Sequence, residues 1–165
     1  MLTQQYLKDN FNYDPKTGLF VRTKKTGTNT KIGIPLVCNK GNGYIFFSVQ
    51  NKLQLAHRMA WLYVYGEIPL MNIDHINGNK LDNRITNLRL ANQSQNTANS
   101  CLSKLNTSGA KGVFWLKDAK KWRASVMVNY KFITLGRFDN IDDAIKAREV
   151  GAKKYFGDFA SNGIR

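Results

Sequence analysis

Two adjacent residues, Asp74 and His75, carry the side chains of this chain that are best suited to chemistry. A carboxylate is a hard oxygen ligand of the kind that Mg²⁺ prefers. A histidine with an ordinary pKa of about 6.5 can accept a proton at neutral pH. Hydrolysis of a phosphodiester needs both, because a base must activate water and a cation must stabilise charge on the leaving oxygen. An Asp-His dipeptide alone is a weak signal, since such short motifs arise easily by chance.

Asparagine is unusually frequent around and after this pair. Eight of the 29 residues from 72 to 100 are asparagine, which is more than turns and helix caps need. Residues 82–89 are predicted to form a strand that returns after a turn at Gly78, and residues 92–99 a short polar helix. On such a helix Asn96 shares a face with Asn92 or with Asn99.

The elements on either side of this segment indicate an α+β fold. Residues 11–56 are predicted to form short strands joined by turns, and residues 57–65 a buried helix that ends at Gly66. Residues 101–109 lack periodicity and are interpreted as a linker. The elements predicted after it are the strands Gly112–Leu116, Trp122–Val128 and Phe132–Phe138, and a helix capped by Asn140 that runs to about Phe156.

The charge of the chain favours a polyanionic partner. Lys and Arg total 25 against 11 Asp and Glu, which gives a formal net charge of +14. The excess is shared equally, with +7 in residues 1–100 (12 basic, 5 acidic) and +7 in residues 101–165 (13 basic, 6 acidic). Nucleic acid is the first candidate for such a partner. A solvated basic surface without a partner is the alternative.

The cysteine content and the apolar runs argue against disulfide-rich, zinc-binding, secreted and membrane-spanning classes of protein. Cys38 and Cys101 are too few for a disulfide framework or a structural zinc site. The first residues lack the basic and then apolar pattern of a signal peptide, and no apolar run approaches the roughly 20 residues of a membrane span. We therefore expect a cytoplasmic protein that has no membrane partner.

Residues 57–99 resemble the HNH endonucleases, specifically the zinc-free group found in phages and homing introns. The resemblance rests on His57-Arg58, Gly66-x-Ile68-Pro69, Asp74-His75-x-Asn77-Gly78-Asn79, Asp82-Asn83-Arg84, Asn87-Leu88-Arg89 and Asn96-x-x-Asn99. Upstream, Tyr13-Asp14-Pro15-x-Thr17-Gly18 and Gly43-Tyr44 are similar to the same group. The resemblance implies a ββα-metal fold, in which a hairpin and a helix hold one divalent ion, Mg²⁺ or Mn²⁺, and it implies cleavage of DNA.

The same resemblance implies roles for individual residues. His75 would be the general base, and Asn87 would orient its ring or its backbone. Asp74 and Asn96 would bind the metal, with Asn96 standing where the family usually has its last histidine. Because a neutral amide is a weaker ligand than a carboxylate, we expect modest metal affinity. Asn99 is either a further member of this site or a helix-end cap.

Other polar residues of this segment have simpler interpretations. For His57, a hydrogen-bonded structural histidine at the start of a helix outweighs a catalytic role. Arg84 and Arg89 lie nearest to the proposed site and are expected to contact DNA phosphates, ahead of Arg58.

Residues 110–160 resemble the APETALA-type domain of plant ethylene-response factors. The matching residues are Gly112-Val113, Trp115, Lys121-Trp122-x-Ala124, Leu135-Gly136-x-Phe138, Asp143-Ala144, Ala152 and Phe156-Gly157-x-Phe159-Ala160. That family lays a three-stranded sheet in the major groove of DNA, which is wide enough to admit it.

The resemblance implies an exposed, basic sheet face in this second region. We expect that face to carry Trp115, Lys117, Lys120, Lys121, Arg123, Lys131 and Arg137, all of which except Lys120 are predicted DNA contacts. For Trp115 core packing and DNA contact both stay open, whereas Trp122 is expected in the core. The plant domain carries more arginine on its strands, so looser sequence reading is expected here.

Together these features predict a metal-dependent DNA endonuclease of homing or phage type. The nuclease domain would occupy residues 1–100, with its ββα-metal core at about 70–100, followed by the linker at 101–109 and a DNA-binding domain at 110–165. A DNA-binding regulator without catalysis is the alternative, and an RNA-binding module is weaker because no aromatic stacking motif of RNA domains is present. The partner would be double-stranded DNA, with the oligomeric state, the target sequence and the number of strands cut left open. A phage source would place the protein in the cytoplasm of a bacterial host.

Overall fold

The computed structural model describes residues 2–25, 27–28, 30–39 and 43–164. The chain divides into two compact units, Met1–Leu90 and Ala91–Arg165. Helices alternate with small antiparallel sheets, which confirms a mixed fold of helices and strands. The division into a nuclease domain to residue 100, a linker and a DNA-binding domain stays a prediction. Within the described part of the chain, no helix has the length and apolarity needed to cross a membrane.

The first unit consists of two helices and several short strands. In chain order they are α1 (Gln4–Asn10), β1 (Phe11–Asp14), β2 (Leu19–Arg22), β3 (Cys38–Asn39), β4 (Ile45–Val49), β5 (Lys52–Leu55), α2 (Ala56–Tyr65), β6 (Asn72–His75), a 3-10 turn (Ile85–Asn87) and β7 (Leu88–Ala91), whose last residue belongs to the second unit. β1 and β2 form an antiparallel hairpin, and β4 pairs antiparallel with both β3 and β5. β6 pairs with β7.

The core of the first unit forms around aromatic residues of the hairpin and the central sheet. Phe11, Phe20 and Phe47 are buried, and the Phe20 and Phe47 ring centroids lie 4.9 Å apart. Met59 of α2 is also fully buried in this cluster. α2 ends at Gly66, whose φ of 85° suits a residue without a side chain and whose N–H donates to the Leu62 carbonyl. The core fixes the hairpin and α2 on which the candidate site depends.

The second unit is a three-stranded antiparallel sheet with helices packed on it. Its elements are α3 (Gln93–Asn99), β8 (Val113–Leu116), β9 (Lys121–Val128), β10 (Lys131–Phe138), α4 (Ile141–Phe156) and a 3-10 turn (Gly157–Phe159), with the strand order β10-β9-β8. Asn140 caps α4 by accepting from the Asp142 N–H. α4 approaches the sheet closely, because a Cβ atom at Gly151 would lie 2.4 Å from Leu135. Small residues on α4, among them the buried Ala144, permit this contact.

The short helix α3 is held by residues that follow it in the chain. Ala98 packs in one cluster with Val126 of β9 and with residues of α4. The Lys111 ammonium donates to the carbonyl oxygens of Thr97, Ala98 and Ser100 at 2.7–2.9 Å, which places a positive charge at the C-terminal end of the helix. Lys111 therefore satisfies backbone acceptors that the end of a helix leaves open.

Candidate active site

Asp74 and His75 lie at the end of β6, within the first unit. Asp74 exposes 6% and His75 4% of its surface, and the preceding Ile73 is buried as well. Since successive side chains of a strand point to opposite faces, both faces of β6 are covered here. Both polar side chains are therefore surrounded by protein, and the groups that contact them determine their charge and orientation.

The carboxylate of Asp74 is ion-paired. Arg89, on the neighbouring strand β7, places its Nε 2.9 Å from Oδ2 of Asp74. The two side chains are only 16% and 7% exposed, so the pair is largely shielded from water. Arg89, which is predicted to contact DNA phosphate, is thus ion-paired with Asp74, which is predicted to bind metal.

The imidazole of His75 is bonded by an asparagine to which sequence analysis assigned no role. Nε2 of His75 lies 3.1 Å from Oδ1 of Asn83, and Asn83 is 1% exposed. The amide Nδ2 of Asn83 donates to the Leu81 carbonyl at 3.3 Å, so its oxygen faces the ring. The signal that could have identified Asn83 was its place in the Asp82-Asn83-Arg84 motif.

Aromatic rings enclose the His75 side chain further. The His57 ring stands edge-on to it, with centroids 5.2 Å apart, and the Tyr44 ring lies at 6.0 Å. Burial, together with the nearby His75 and Arg58, lowers the pKa of His57 to about 3, and its Nδ1 is buried without a hydrogen-bond partner among the described residues. The hydrogen bond expected of a structural His57 is thus not found at Nδ1 in the described ranges, and the role of His57 stays a prediction.

Burial also lowers the pKa of His75, against the opposing effects of the Asn83 hydrogen bond and the Asp74 charge. The ring is therefore neutral at pH 7 and carries a lone pair.

Asn87 holds the turn that follows His75. Its Oδ1 accepts from the Asn77 N–H at 3.0 Å, and its Nδ2 donates to Asn77 Oδ1 at 3.0 Å and to the Asp82 carbonyl at 2.8 Å. Its backbone carbonyl accepts from the N–H of Ile76, the residue after His75. Of the two tasks proposed for Asn87, these contacts correspond to orienting the backbone beside His75.

Arg84 is engaged within its own loop. Its guanidinium donates to both carboxylate oxygens of Asp82, and the pair lowers the pKa of that carboxyl group. The Arg84 side chain is nevertheless 46% exposed. Its outer surface thus stays accessible to a partner.

Asn96 and Asn99 lie on α3, in the second unit. Asn96 is half-buried, whereas Asn99 exposes 4% of its surface. Asn92 caps this helix by accepting from the Gln95 N–H, and the Gln95 side chain accepts from the Asn92 N–H in return. The helix predicted for residues 92–99 is therefore present, with a well-defined start.

Comparison with known proteins identifies the segment that carries this geometry. Residues 54–98 match the HNH endonuclease family. The match includes α2, β6, β7 and nearly all of α3, and with them Asp74, His75, Asn87 and Asn96. Residues 54–98 are thus similar to HNH endonucleases, which supports the nuclease class expected from the sequence.

Two viral proteins are similar to the chain. Protein 3.8 of Escherichia phage T7 is 42% identical over 76 residues, which are 46% of this chain and 63% of that protein. The "Uncharacterized HNH endonuclease L560" of Acanthamoeba polyphaga mimivirus is 32% identical over 121 residues, which are 73% of this chain and 62% of that protein. The chain therefore spans less than two thirds of the length of either relative. No solved structure shows a significant match.

The donor chemistry of the HNH segment suits a hard cation. Among the residues that the structure describes, no group of three His, Cys, Asp or Glu side chains could hold a metal ion. The two predicted ligands, Asp74 and Asn96, carry a carboxylate and an amide oxygen. Oxygen donors of this kind fit Mg²⁺ or Mn²⁺, which take further ligands from water and phosphate, and do not fit structural zinc.

The sheet of the second unit has a helix-covered side and an open side. Trp122 and Phe138 pack with α4, and Trp115 lies directly opposite Trp122 with ring centroids 5.1 Å apart. Trp115 is therefore on the α4 side, although it is 46% exposed. Lys131 pairs with Val128, which also packs on the α4 side. The expectation that Trp115 and Lys131 share one face with Arg123 and Arg137 is wrong. Side chains alternate along β8 and β9, and the register shift between Thr134 and Gly136 moves Lys131 to the opposite face from Arg137.

The open side carries a smaller group of the predicted residues. Arg123 lies between Phe114 and Arg137 across the three strands, and its guanidinium stacks on the Phe114 ring at 5.6 Å. Phe132 pairs with Met127, which lies on the same side of β9 as Arg123, and it is 69% exposed. Lys121, which pairs with Asp139, completes this side.

Lys117 and Lys120 lie outside both sides of the sheet. They are exposed in the turn between β8 and β9.

Proposed function

We propose that the chain is a metal-dependent endonuclease that hydrolyses phosphodiester bonds of double-stranded DNA. The observation that carries the proposal is a buried, neutral His75 beside Asp74 in the segment that matches the HNH endonuclease family. The net charge of +14 supports a polyanionic substrate. Similarity to a protein of phage T7 supports a phage type, and the homing type rests on the sequence resemblance.

Each residue of the proposed site has a separate role in the hydrolysis. His75 takes the proton of the attacking water as general base. Asp74 and Asn96 would hold a divalent ion, Mg²⁺ or Mn²⁺, and for Asn96 this assignment rests on the sequence resemblance. When bound, such an ion stabilises negative charge on the phosphate and the leaving oxygen. Asn87 keeps the backbone beside His75 in place through the turn that it holds.

Basic residues near these groups provide affinity for the DNA backbone. The half-exposed Arg84 would contact phosphate, and Arg89, which is paired with Asp74, would be a second phosphate contact. The APETALA-like second unit binds the duplex with the open side of its sheet. Its Arg123 and Arg137, beside exposed Phe114 and Phe132, support this part of the proposal.

A cleavage assay on supercoiled plasmid tests the proposed reaction. Wild-type protein with Mg²⁺ or Mn²⁺ is expected to convert the plasmid to nicked or linear DNA, and EDTA is expected to stop it. His75→Ala should bind DNA and lose most of the activity, whereas the exposed substitution Glu67→Gln should cleave like wild type. Equal cleavage by His75→Ala and wild type would remove His75 as the base.

A DNA-binding protein without cleavage activity is the second candidate. The observation in its favour is the ion pair, because Arg89 already neutralises the carboxylate on which the metal depends. DNA binding without cleavage, across several metals and target sequences, would support this alternative.

A further inference from the structure

The N-terminal hairpin has no assigned part in the proposed chemistry, although its motif is similar to the same family. Its turn is fixed internally, because the Asp14 carboxylate accepts from the Lys16 N–H at 2.9 Å and from the Thr17 hydroxyl at 2.8 Å. The Gly18 N–H donates to the Asp14 carbonyl at 2.8 Å. These three hydrogen bonds within one turn make the hairpin rigid.

The backbone of Asn83 packs against this hairpin. The buried hydroxyl of Tyr13 donates to the Asn83 backbone carbonyl at 2.8 Å. At the end of the turn, Gly18 approaches so closely that a Cβ atom would lie 2.5 Å from the Asn83 carbonyl carbon and 2.4 Å from the Arg84 nitrogen. The hairpin therefore fixes the backbone of Asn83 from two sides.

The side chain of Asn83 then has one favourable orientation. Its Nδ2 donates to the Leu81 carbonyl at 3.3 Å, and its Oδ1 lies 3.1 Å from His75 Nε2. Exchanging the amide oxygen and nitrogen would bring two acceptor oxygens together at Leu81. The group that faces the ring is thus an acceptor, and a neutral imidazole can satisfy it only with a proton on Nε2.

We propose that Asn83, held by the N-terminal hairpin, is a positioning residue that keeps His75 in the Nε2–H tautomer, so that Nδ1 is the atom that accepts the proton of the attacking water. The catalytic part rests on the proposed function, whereas the tautomer is a property of the protein itself. Asn83 acts through His75 and needs no contact with DNA.

The tautomer can be read directly by NMR. The chain has two histidines, so two-bond ¹H–¹⁵N correlation spectra of histidine-labelled protein show two ring systems, which the His57→Gln spectrum assigns. At a pH where the rings are neutral, His75 is expected to show a pyrrole-type Nε2 and a pyridine-type Nδ1. A wild-type His75 protonated on Nδ1 would overturn the proposal, whatever the variants do.

Two substitutions of similar size separate the hydrogen bond from packing. Asn83→Leu removes the acceptor, and the His75 nitrogen shifts are expected to move toward a mixture of tautomers. Asn83→Asp keeps an acceptor and is expected to retain the wild-type pattern. An unchanged tautomer in a folded Asn83→Leu protein would contradict the role of Asn83.

Cleavage kinetics then connect the tautomer to the reaction. Asn83→Leu is expected to lower the cleavage rate at saturating DNA by about 100-fold, the size of a general-base contribution, with DNA affinity unchanged. Asn83→Asp should recover a large part of the rate. If wild type shows the Nε2–H form and does not cleave DNA, the proposed function fails while the tautomer assignment stands. If Asn83→Leu changes the tautomer and cleaves at the wild-type rate, Nδ1 is not the proton acceptor.

Discussion

Arg89 donates through its Nε to the carboxylate of Asp74 across the paired strands β6 and β7, at 2.9 Å. Arg89→Met removes this charge from a carboxylate that is almost buried. We expect a loss of about 3 kcal/mol in the free energy of unfolding, as is usual when one partner of a buried pair is removed. On the proposal that Asp74 binds a divalent ion, Mg²⁺ or Mn²⁺ should restore more thermal stability to the variant than to wild type, as measured by thermal unfolding.

The control for this experiment is Arg84→Met, which removes the other arginine predicted near the site. Its pair with Asp82 is solvent-exposed on the arginine side, so no measurable change in melting temperature is expected. An equal response of both variants to the metal ion would refute competition between Arg89 and metal for Asp74.

The buried His57 makes stability depend on pH. Its pKa is about 3 in the folded chain, against 6.5 for an ordinary histidine. Between these values the unfolded chain binds a proton that the folded chain does not. Stability should therefore fall as the pH is lowered from 6.5 toward 3, by at most about 1.4 kcal/mol per pH unit, and be unaffected by this group above that range. Urea unfolding from pH 4.5 to 8 measures the slope, which should be smaller in His57→Gln.

Gly18 is the position where the hairpin turn has no room for a side chain. Its φ is 73°, and an added methyl group would overlap backbone atoms of Asn83 and Arg84. Gly18→Ala should therefore destabilise the protein by more than the roughly 1–2 kcal/mol of left-handed strain alone. Gly33→Ala is the matched control, because its φ is 72° and nothing lies within 4 Å of the added atom. Equal effects in chemical denaturation would show that the close approach is unimportant.

Lys111 should control the local stability of α3. Removing its ammonium in Lys111→Ala leaves the carbonyls of Thr97, Ala98 and Ser100 without this donor. Amide hydrogen exchange in residues 93–99 should become faster, while Lys117→Ala, in the exposed turn between β8 and β9, should leave it unchanged. Unaltered exchange in a folded Lys111→Ala protein would contradict the assigned role.

The two sides of the C-terminal sheet should differ in DNA binding. Arg123→Gln and Arg137→Gln, on the open side, should each weaken binding and reduce the slope of log affinity against log salt by about 1. Lys131→Gln removes the same charge from the α4 side and should change affinity and slope less. The proposed orientation would be reversed if Lys131→Gln had the larger effect in salt-dependent binding measurements.

Elements with strong local signals were predictable from the sequence. The helix expected at 57–65 is observed at Ala56–Tyr65, because the apolar run and the stop at Gly66 define it. The strands of the second unit and the Asn140 cap were likewise placed within about two residues. In contrast, α1 was not predicted. It is one short helix whose Thr3 cap gives little signal without tertiary contacts.

The segment expected to be a strand at 82–89 differs from the prediction. Strand β7 begins only at Leu88, and residues 85–87 form a 3-10 turn. Side-chain bonds within this loop, such as those of Asp82 to the Arg84 backbone and guanidinium, compete with strand pairing. Local polar contacts therefore replace the strand that was expected before Leu88.

The partners in the candidate site could not be read from the sequence. Eight asparagines lie between residues 72 and 100. Asn83 and Asn87 both belong to family motifs, so the motifs do not tell which of them reaches the His75 ring and which holds the turn. The contact between a distant hairpin and the Asn83 backbone, which helps to place that amide at the ring, is a tertiary feature. The Asp74 to Arg89 pair depends in the same way on strand pairing.

The packing of α3 limits where the gene for this chain can be recombined with the gene of a relative. The segment that matches the HNH family ends within α3. The residues that hold α3 come later in the chain: Val126 packs with it, Lys111 donates to its last carbonyls, and the Asn129 N–H donates to Ser94. A product that stops after residue 100 would retain the family signature and lose the surface that docks this helix. A crossover that exchanges C-terminal halves between relatives should therefore succeed upstream of α3, or downstream only when the incoming half preserves that docking surface. The end of the HNH family match at residue 98 and a crossover point that keeps α3 docked are therefore different positions in this chain.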